Sequence, residues 1–277
     1  MDIERTKGQG RYATYSVHSP KLLKDWHLKL RPPSLDSELE HELNRIEWSQ
    51  QSLKSPEKAF KLSMPGISAL ITKTIEGKPS YKYIDILEPD RIIASLSSAI
   101  TTIRNVDVES FSFQSPYWTT EQGLETNIKS LASSKDKHRN LHPDFANLTI
   151  QELKNIVDLG PSNQKQALSH GDLCMPNVLL NEDGDISGIV DLGDLHVGDP
   201  DLDIAVMSWT VQANMGGKWS NRLLRDHGIS ADEHSIVYNR LAYDLHLEHP
   251  KSWAWVSDPK LVEQRARLSG ENGVIDD

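Results

Sequence analysis

The pattern of apolar and polar positions divides this chain near residue 75. Before that point, short β-type segments flank one helical stripe. Tyr12–Val17 is rich in β-formers and predicts a strand, Ser19-Pro20-Lys21 a turn, and the alternating Trp26–Leu30 a second strand that Pro32-Pro33 ends. Leu35, Leu39, Leu43 and Ile46 then recur at spacings of four, four and three, which predicts a helix over Leu35–Gln50 that Ser34 or Asp36 is expected to cap. Ile67–Thr72 predicts another strand, so the first part is expected to be a small β-β-α-β lobe. Beyond it, helical spacing dominates. Helices are expected at Pro89–Val106, Leu124–Leu131, Ile150–Leu159, Asp201–Asn214 and Ser230–His246. Two short apolar runs, Val178–Leu180 and Ile186–Val190, flank the turn sequence Asn181–Asp185 and predict a hairpin. The fold class expected is therefore α+β, with a β-rich lobe over residues 1–74, a hinge near 72–77 and a larger, mainly helical lobe over 78–277.

Composition narrows the picture only a little. The chain has 277 residues, 37% hydrophobic and 25% charged, which suits a folded protein. A net charge of -10 argues against a general nucleic-acid binder. No apolar run approaches the roughly 20 residues of a membrane span, and the polar start does not resemble a secretory signal. The single cysteine, Cys174, excludes an intramolecular disulfide and a multi-thiolate zinc site. A cytoplasmic setting is expected, with no membrane and no obligate protein partner.

The chemistry lies between Ser169 and Ser208. His170-Gly171-Asp172 is followed five residues after the aspartate by Asn177, and the hairpin then leads to Asp191-Leu192-Gly193. Taken singly, Asp172 and Asn177 are ordinary turn residues and Asp191 a strand-end carboxylate. Together they match the order of parts that phosphoryl transfer needs: an aspartate that orients the attacking hydroxyl, then an asparagine and a second aspartate that hold Mg2+ against the phosphates. Oxygen donors suit that hard cation.

The same stretch resembles the aminoglycoside phosphotransferases, most closely their 3'-phosphotransferase branch. The pattern H-G-D-x-C-x-P-N is met by His170–Asn177, S-G-x-x-D-x-G by Ser187–Gly193, and D-I-A by Asp203-Ile204-Ala205, with further likeness through Gly216-Gly217-x-Trp219 and Arg222-Leu223-Leu224. The resemblance runs from about Gly8 to Leu245. It implies a two-lobed protein-kinase-like fold, and ATP or GTP with Mg2+ delivering phosphate to a small hydroxyl-bearing acceptor, with antibiotic resistance as the consequence. It further implies Asp172 as the catalytic residue, Asn177 and Asp191 as metal ligands, and Lys29 paired with Glu42 at the phosphates, Glu38 being the competing partner. Thr72 and Thr74, in Thr72-Lys73-Thr74-Ile75, are expected to offer backbone groups to the purine, and Gly8-Gln9-Gly10-Arg11 to cover the phosphates. His170, Asp199 and Asp203 are implied to be loop supports, and Cys174 a packed residue.

The resemblance thins on the acceptor side. Asp144 and Asp244 match acidic positions that meet the ammonium groups of the antibiotic, and Asp194 stands where relatives carry arginine. The helix after Asp203 reads Ser208–Asn214 without acid. Trp209, Trp219, Trp253 and Trp255 are read as core rather than as a sugar platform, and about thirty residues follow the point where relatives end. The alternatives are a kinase of another metabolite or antibiotic and a nucleotide-binding pseudokinase. A protein kinase is disfavoured, because no A-P-E segment follows Asp191-Leu192-Gly193.

Overall fold

The computed structural model describes residues 2–7, 13–18, 25–133, 141–161 and 165–247. The first part is a five-stranded antiparallel sheet in the order β1-β2-β3-β5-β4, made of β1 (Asp2–Lys7), β2 (Ala13–His18), β3 (Trp26–Arg31), β4 (Ala59–Met64) and β5 (Ile67–Lys73). Register puts Thr14, Lys29, Leu70 and Lys61 side by side across it. The pleat aims such a row at one face, and α1 (Asp36–Ser49) covers that face. Lys61 there reaches Asp36 at 2.8 Å and Glu40 at 2.5 Å.

Two strands here go beyond the β-β-α-β expectation. β1 pairs antiparallel with β2, and the Gly8–Arg11 segment of the expected phosphate-covering loop lies outside the described residues. β4 forms a tight hairpin with β5 through Pro65-Gly66. Its alternation runs opposite to the usual one: Phe60, Leu62 and Met64 point outward, 46%, 45% and 48% exposed, while Lys61 turns in to the carboxylates of α1. The expected cap of α1 also differs. Leu35 occupies the N-cap without a side-chain bond, after a 3-10 turn at Pro33–Leu35. Asp36 lies inside the first turn and spends its carboxylate on Lys61 and Ser63.

The second part is mostly helical: α2 (Pro89–Arg104), α3 (Glu121–Ser133), α4 (Pro143–Ala146), α5 (Ile150–Asp158), α6 (Asp201–Met215), α7 (Gly217–Asp226) and α8 (His234–His246). Helix α7 has no counterpart in the expected elements, although Trp219, Leu223 and Leu224 form its buried stripe. The predicted hairpin is present as β8 (Val178–Leu180) and β9 (Ile186–Ile189), with β6 (Lys78–Pro79) alongside β8. A further pair, β7 (Ala167–Ser169) and β10 (His196–Gly198), brackets the chemistry-bearing loops.

One apolar core joins the two parts. Leu39, Ile46 and Leu70 pack in the same cluster as Leu96, Ile100, Val178, Leu192, Leu195 and Met207. A second cluster, including Leu124, Phe145, Leu153, Trp209 and Leu241, sits under α3, α5 and α8. The linker after β5 lies close to the hairpin. Gly77 has φ +117°, and a Cβ there would meet the Leu180 carbonyl at 2.4 Å, so only glycine fits. Among the described residues, no helix is long and apolar enough to cross a membrane. Trp253 and Trp255 lie outside the described residues.

Candidate active site

Lys29 sits in the middle of β3 on the face that α1 covers. Its ammonium donates to both oxygens of Glu42, at 2.6 and 2.7 Å, and to Asp191 Oδ1 at 2.7 Å. Strand, helix and the segment after the hairpin thus meet at one cation. Glu38 instead lies 3.7 Å from Arg31. Burial alone would push the Lys29 ammonium down, but Asp191 and Glu42 outweigh it and hold the group well above its ordinary value. The Lys29 charge in turn holds the Asp191 carboxyl below its usual range. Asp191 has φ +65°, the one positive φ outside glycine among the described residues. A non-glycine residue held in that region signals a backbone shaped for a site.

Arg45, a residue to which the sequence assigned no role, fixes α1 to this segment. It is 6% exposed, and its Nε donates to the Leu195 carbonyl at 2.7 Å and its Nη2 to the Gln114 carbonyl at 2.9 Å. Glu42 is thereby held over Asp191-Leu192-Gly193.

The loop from His170 to Asn177 is pinned from two sides. Asp203, in the first turn of α6, accepts from the Ser169 hydroxyl at 3.0 Å, the His170 amide at 2.8 Å and the Gly171 amide at 3.1 Å. His170 is fully buried; its Nε2 donates to the Val190 carbonyl at 3.0 Å, and its Nδ1 accepts from the Asp172 amide at 3.3 Å. Gly171 has φ +84°, and a side chain there would strike Asp194 at 2.8 Å. Asp199 accepts from the Asp201 amide and from Asn239. These contacts give His170, Asp199 and Asp203 the geometry of loop supports.

Asn177 donates its amide to the Asp172 carbonyl at 2.8 Å and to Asp172 Oδ2 at 3.1 Å. Burial pushes the Asp172 carboxyl up to about 6; Asp191 adds to the rise, and a hydrogen bond from Tyr243 opposes it. That bond, Tyr243 Oη to Asp172 Oδ1, measures 2.6 Å. Tyr243 was not legible as a site residue, since it lies 71 positions downstream in a helix and in no motif.

The residues fit a divalent cation. Asn177 spends its N–H donors on Asp172, which leaves its side-chain carbonyl without a partner among the described residues, and its backbone carbonyl accepts from the amide of Val190, the residue before Asp191. Among the described residues no group of three or more His, Cys, Asp or Glu could hold a metal. An ion held here by Asn177 and Asp191 would need phosphate and water to complete its ligands, as Mg2+ does at nucleotide sites.

Three expected contacts are placed differently. Thr72 lies in the sheet opposite His27 and Ala59, and the Thr74 amide donates to the Asp25 carbonyl at 3.0 Å, so both take part in the backbone pairing of the sheet. Asp244 is 1% exposed, and its Oδ2 accepts from the His142 amide at 2.7 Å. A buried carboxylate spent on backbone is a fold contact, not a docking group for an ammonium. Asp144 does reach solvent, with 42% of its side chain exposed, beside His142 and the Trp209 indole N–H. The bond to His142 holds its carboxyl below the usual range. Trp209 itself is 2% exposed, a core residue stacked on His142. Asp194 is half-buried beside Gly171, and its backbone carbonyl accepts from His196 Nδ1. Cys174 is buried.

Known proteins share this fold. An aminoglycoside 3'-phosphotransferase from Escherichia coli is 23% identical over 247 residues, 87% of each chain. Among solved structures, an aminoglycoside-3'-phosphotransferase of type VIII superposes with a TM-score of 0.70 at 18% identity, covering 88% of this chain and 93% of the other. The aminoglycoside phosphotransferase APH(3'')-Id from Streptomyces rimosus, in complex with ADP and streptomycin, gives 0.64 at 18% identity, covering 85% and 90%. These likenesses establish a two-lobed kinase-like fold. The profile of the Phosphotransferase enzyme family matches residues 5–238, from β1 to within α8, and so takes in the whole lysine–carboxylate cluster. The chain belongs to that phosphotransferase family.

Proposed function

We propose that this protein moves the γ-phosphoryl group of ATP or GTP to a hydroxyl of an aminoglycoside, with the 3'-hydroxyl as the acceptor position. The observation that carries the reading is the convergence of Lys29, Glu42 and Asp191 at 2.6–2.7 Å, next to an Asp172 held by Asn177. Lys29, charged at any working pH, holds the α- and β-phosphates. Asp172 receives the acceptor hydroxyl and takes its proton as the oxygen bonds to phosphorus. Asn177 and Asp191 hold Mg2+, which supplies neutralising charge to the phosphates when bound. The purine edge meets the linker backbone beyond Thr74, and the division between lobes falls within 72–77. Asp144 and Asp194 meet ammonium groups of the acceptor. The setting is a cytoplasmic one.

The test is a transfer assay with purified protein, Mg2+, labelled ATP or GTP, and pairs of aminoglycosides that differ only in the 3'-hydroxyl. Labelled product from the 3'-hydroxyl compound alone supports the reading. Equal labelling of the 3'-deoxy partner moves the site elsewhere on the antibiotic. A second reading, a kinase of a less cationic small molecule, draws support from the burial of Asp244 and from an α6 with no acid after Asp203. Phosphorylation of such a compound with no aminoglycoside labelled would establish it.

A further inference from the structure

Both oxygens of Asp172 already carry a donor. Asn177 Nδ2 holds Oδ2 at 3.1 Å, and the Tyr243 hydroxyl holds Oδ1 at 2.6 Å. The tyrosine comes from the last turn of α8, and its ring is wedged in place. Trp118 meets it edge-on with centroids 6.1 Å apart, and it packs on the cluster of Trp118, Cys174, Leu202 and Val206. Trp118 is in turn stacked on His246 at 4.7 Å. The ring cannot swing aside without opening that cluster, so the hydroxyl is a fixed donor. Burial and the neighbouring Asp172 charge push its pKa well up, so it keeps its proton.

We propose that Tyr243 couples phosphoryl transfer to the acceptor by occupying the position on Asp172 Oδ1 that an attacking water would need; the inference rests on the reading of Asp172 as the group that orients the nucleophile. A bound acceptor is held by its own contacts and can bring a hydroxyl to the lone pairs the carboxylate has left. A single water has no such contacts and must compete with a donor that is already in place. Tyr243 is thus a positioning residue that selects an alcohol over water. Without its hydroxyl, Oδ1 takes a water. That oxygen bonds to the γ-phosphorus and one of its protons passes to Asp172. The bond from phosphorus to the β,γ-bridging oxygen breaks, nucleoside diphosphate and phosphate leave, and Asp172 returns the proton to solvent.

The experiment is Tyr243→Phe, which keeps the ring and removes only the hydroxyl. Phosphate release from ATP and from GTP is measured with Mg2+ and no acceptor, alongside nucleotide affinity by calorimetry. The expected result is a rise of at least fivefold in acceptor-free hydrolysis, with nucleotide affinity unchanged within twofold. The rise should vanish in the double variant with Asp172→Ala. A merely structural tyrosine would lower every rate. A rate at or below that of the unmodified protein overturns the proposal, and so does a rise that survives loss of Asp172. Failure of the unmodified protein to label any aminoglycoside would count against the proposed function, while the hydrolysis measurement would still decide the role of Tyr243.

Discussion

The two sides of the cleft are built to different standards. On the side proposed for the phosphates, the charged groups have fixed partners: Lys29 bridges two carboxylates, Asp203 takes three donors, and Arg45 ties α1 to the segment after Asp191. On the side proposed for the acceptor, Asp194 makes no side-chain hydrogen bond among the described residues, Asp144 is partly open, and Asp244 is buried. Handling a triphosphate needs the same charges in the same places whatever receives the phosphate. Recognition of the acceptor does not, which leaves that side free to vary.

The largest effect should come from Asp172→Ala, which leaves the phosphate side intact and removes the group where the two sides meet. Turnover should fall roughly 10³-fold, within the range for general-base catalysis, with nucleotide affinity changed less than threefold. Steady-state kinetics with a binding titration check both, and an unaltered kcat would break the contrast outright. Next comes Asp203→Asn, which turns an acceptor of three donors into a mixed donor and acceptor. It should cost about 3 kcal/mol, a melting temperature lower by roughly 6–12 °C, by scanning calorimetry. The acceptor side should respond more gently. Asp144→Asn should raise the acceptor KM roughly five- to tenfold while the nucleotide KM stays put, as expected for one charge-assisted contact. A shift in nucleotide KM instead would place Asp144 on the wrong side of the comparison.

The smallest effect lies away from both. Bonds from Lys61, Ser68 and Ser63 hold the Asp36 carboxyl down to about 2. A folded-state value below the unfolded one stabilises above about pH 4, and that contribution is lost as pH falls toward 2. Asp36→Asn should therefore flatten the acid limb of the stability curve between pH 4 and 2 and leave activity at neutral pH unchanged. Denaturant melts across that range provide the check.

Much of the phosphate side was legible because its spacing is local. Asp172, Asn177 and Asp191 lie within twenty residues, and it is the family resemblance that points to Lys29 and Glu42. Lys29 sits on the polar side of its strand's alternation, opposite Leu28 and Leu30, yet that is the side α1 covers. Tyr243 and Arg45 were illegible for the converse reason: each acts through partners 69 to 150 positions away, in no repeating pattern. Asp244 shows a different gap. Its position matches an acidic one in relatives, but position does not report burial, and a neighbouring amide claimed the carboxylate first. Strand β4 did leave a trace, in the alternation of Phe60, Leu62 and Met64 before Pro65-Gly66. Helix α7 left one too, in the four-residue step from Trp219 to Leu223. The three-residue strands β7 and β10 are too short to carry a period at all.

The grip of Arg45 has a bearing on control. In kinases that are switched by swinging the first helix, its glutamate leaves the lysine in the resting state. Here such a swing would strip a buried guanidinium of the Leu195 and Gln114 carbonyls and lift it off the Phe113 ring, 5.5 Å away. On the proposed reading, the lysine–glutamate pair is already formed in the resting structure and needs no helix swing to complete it.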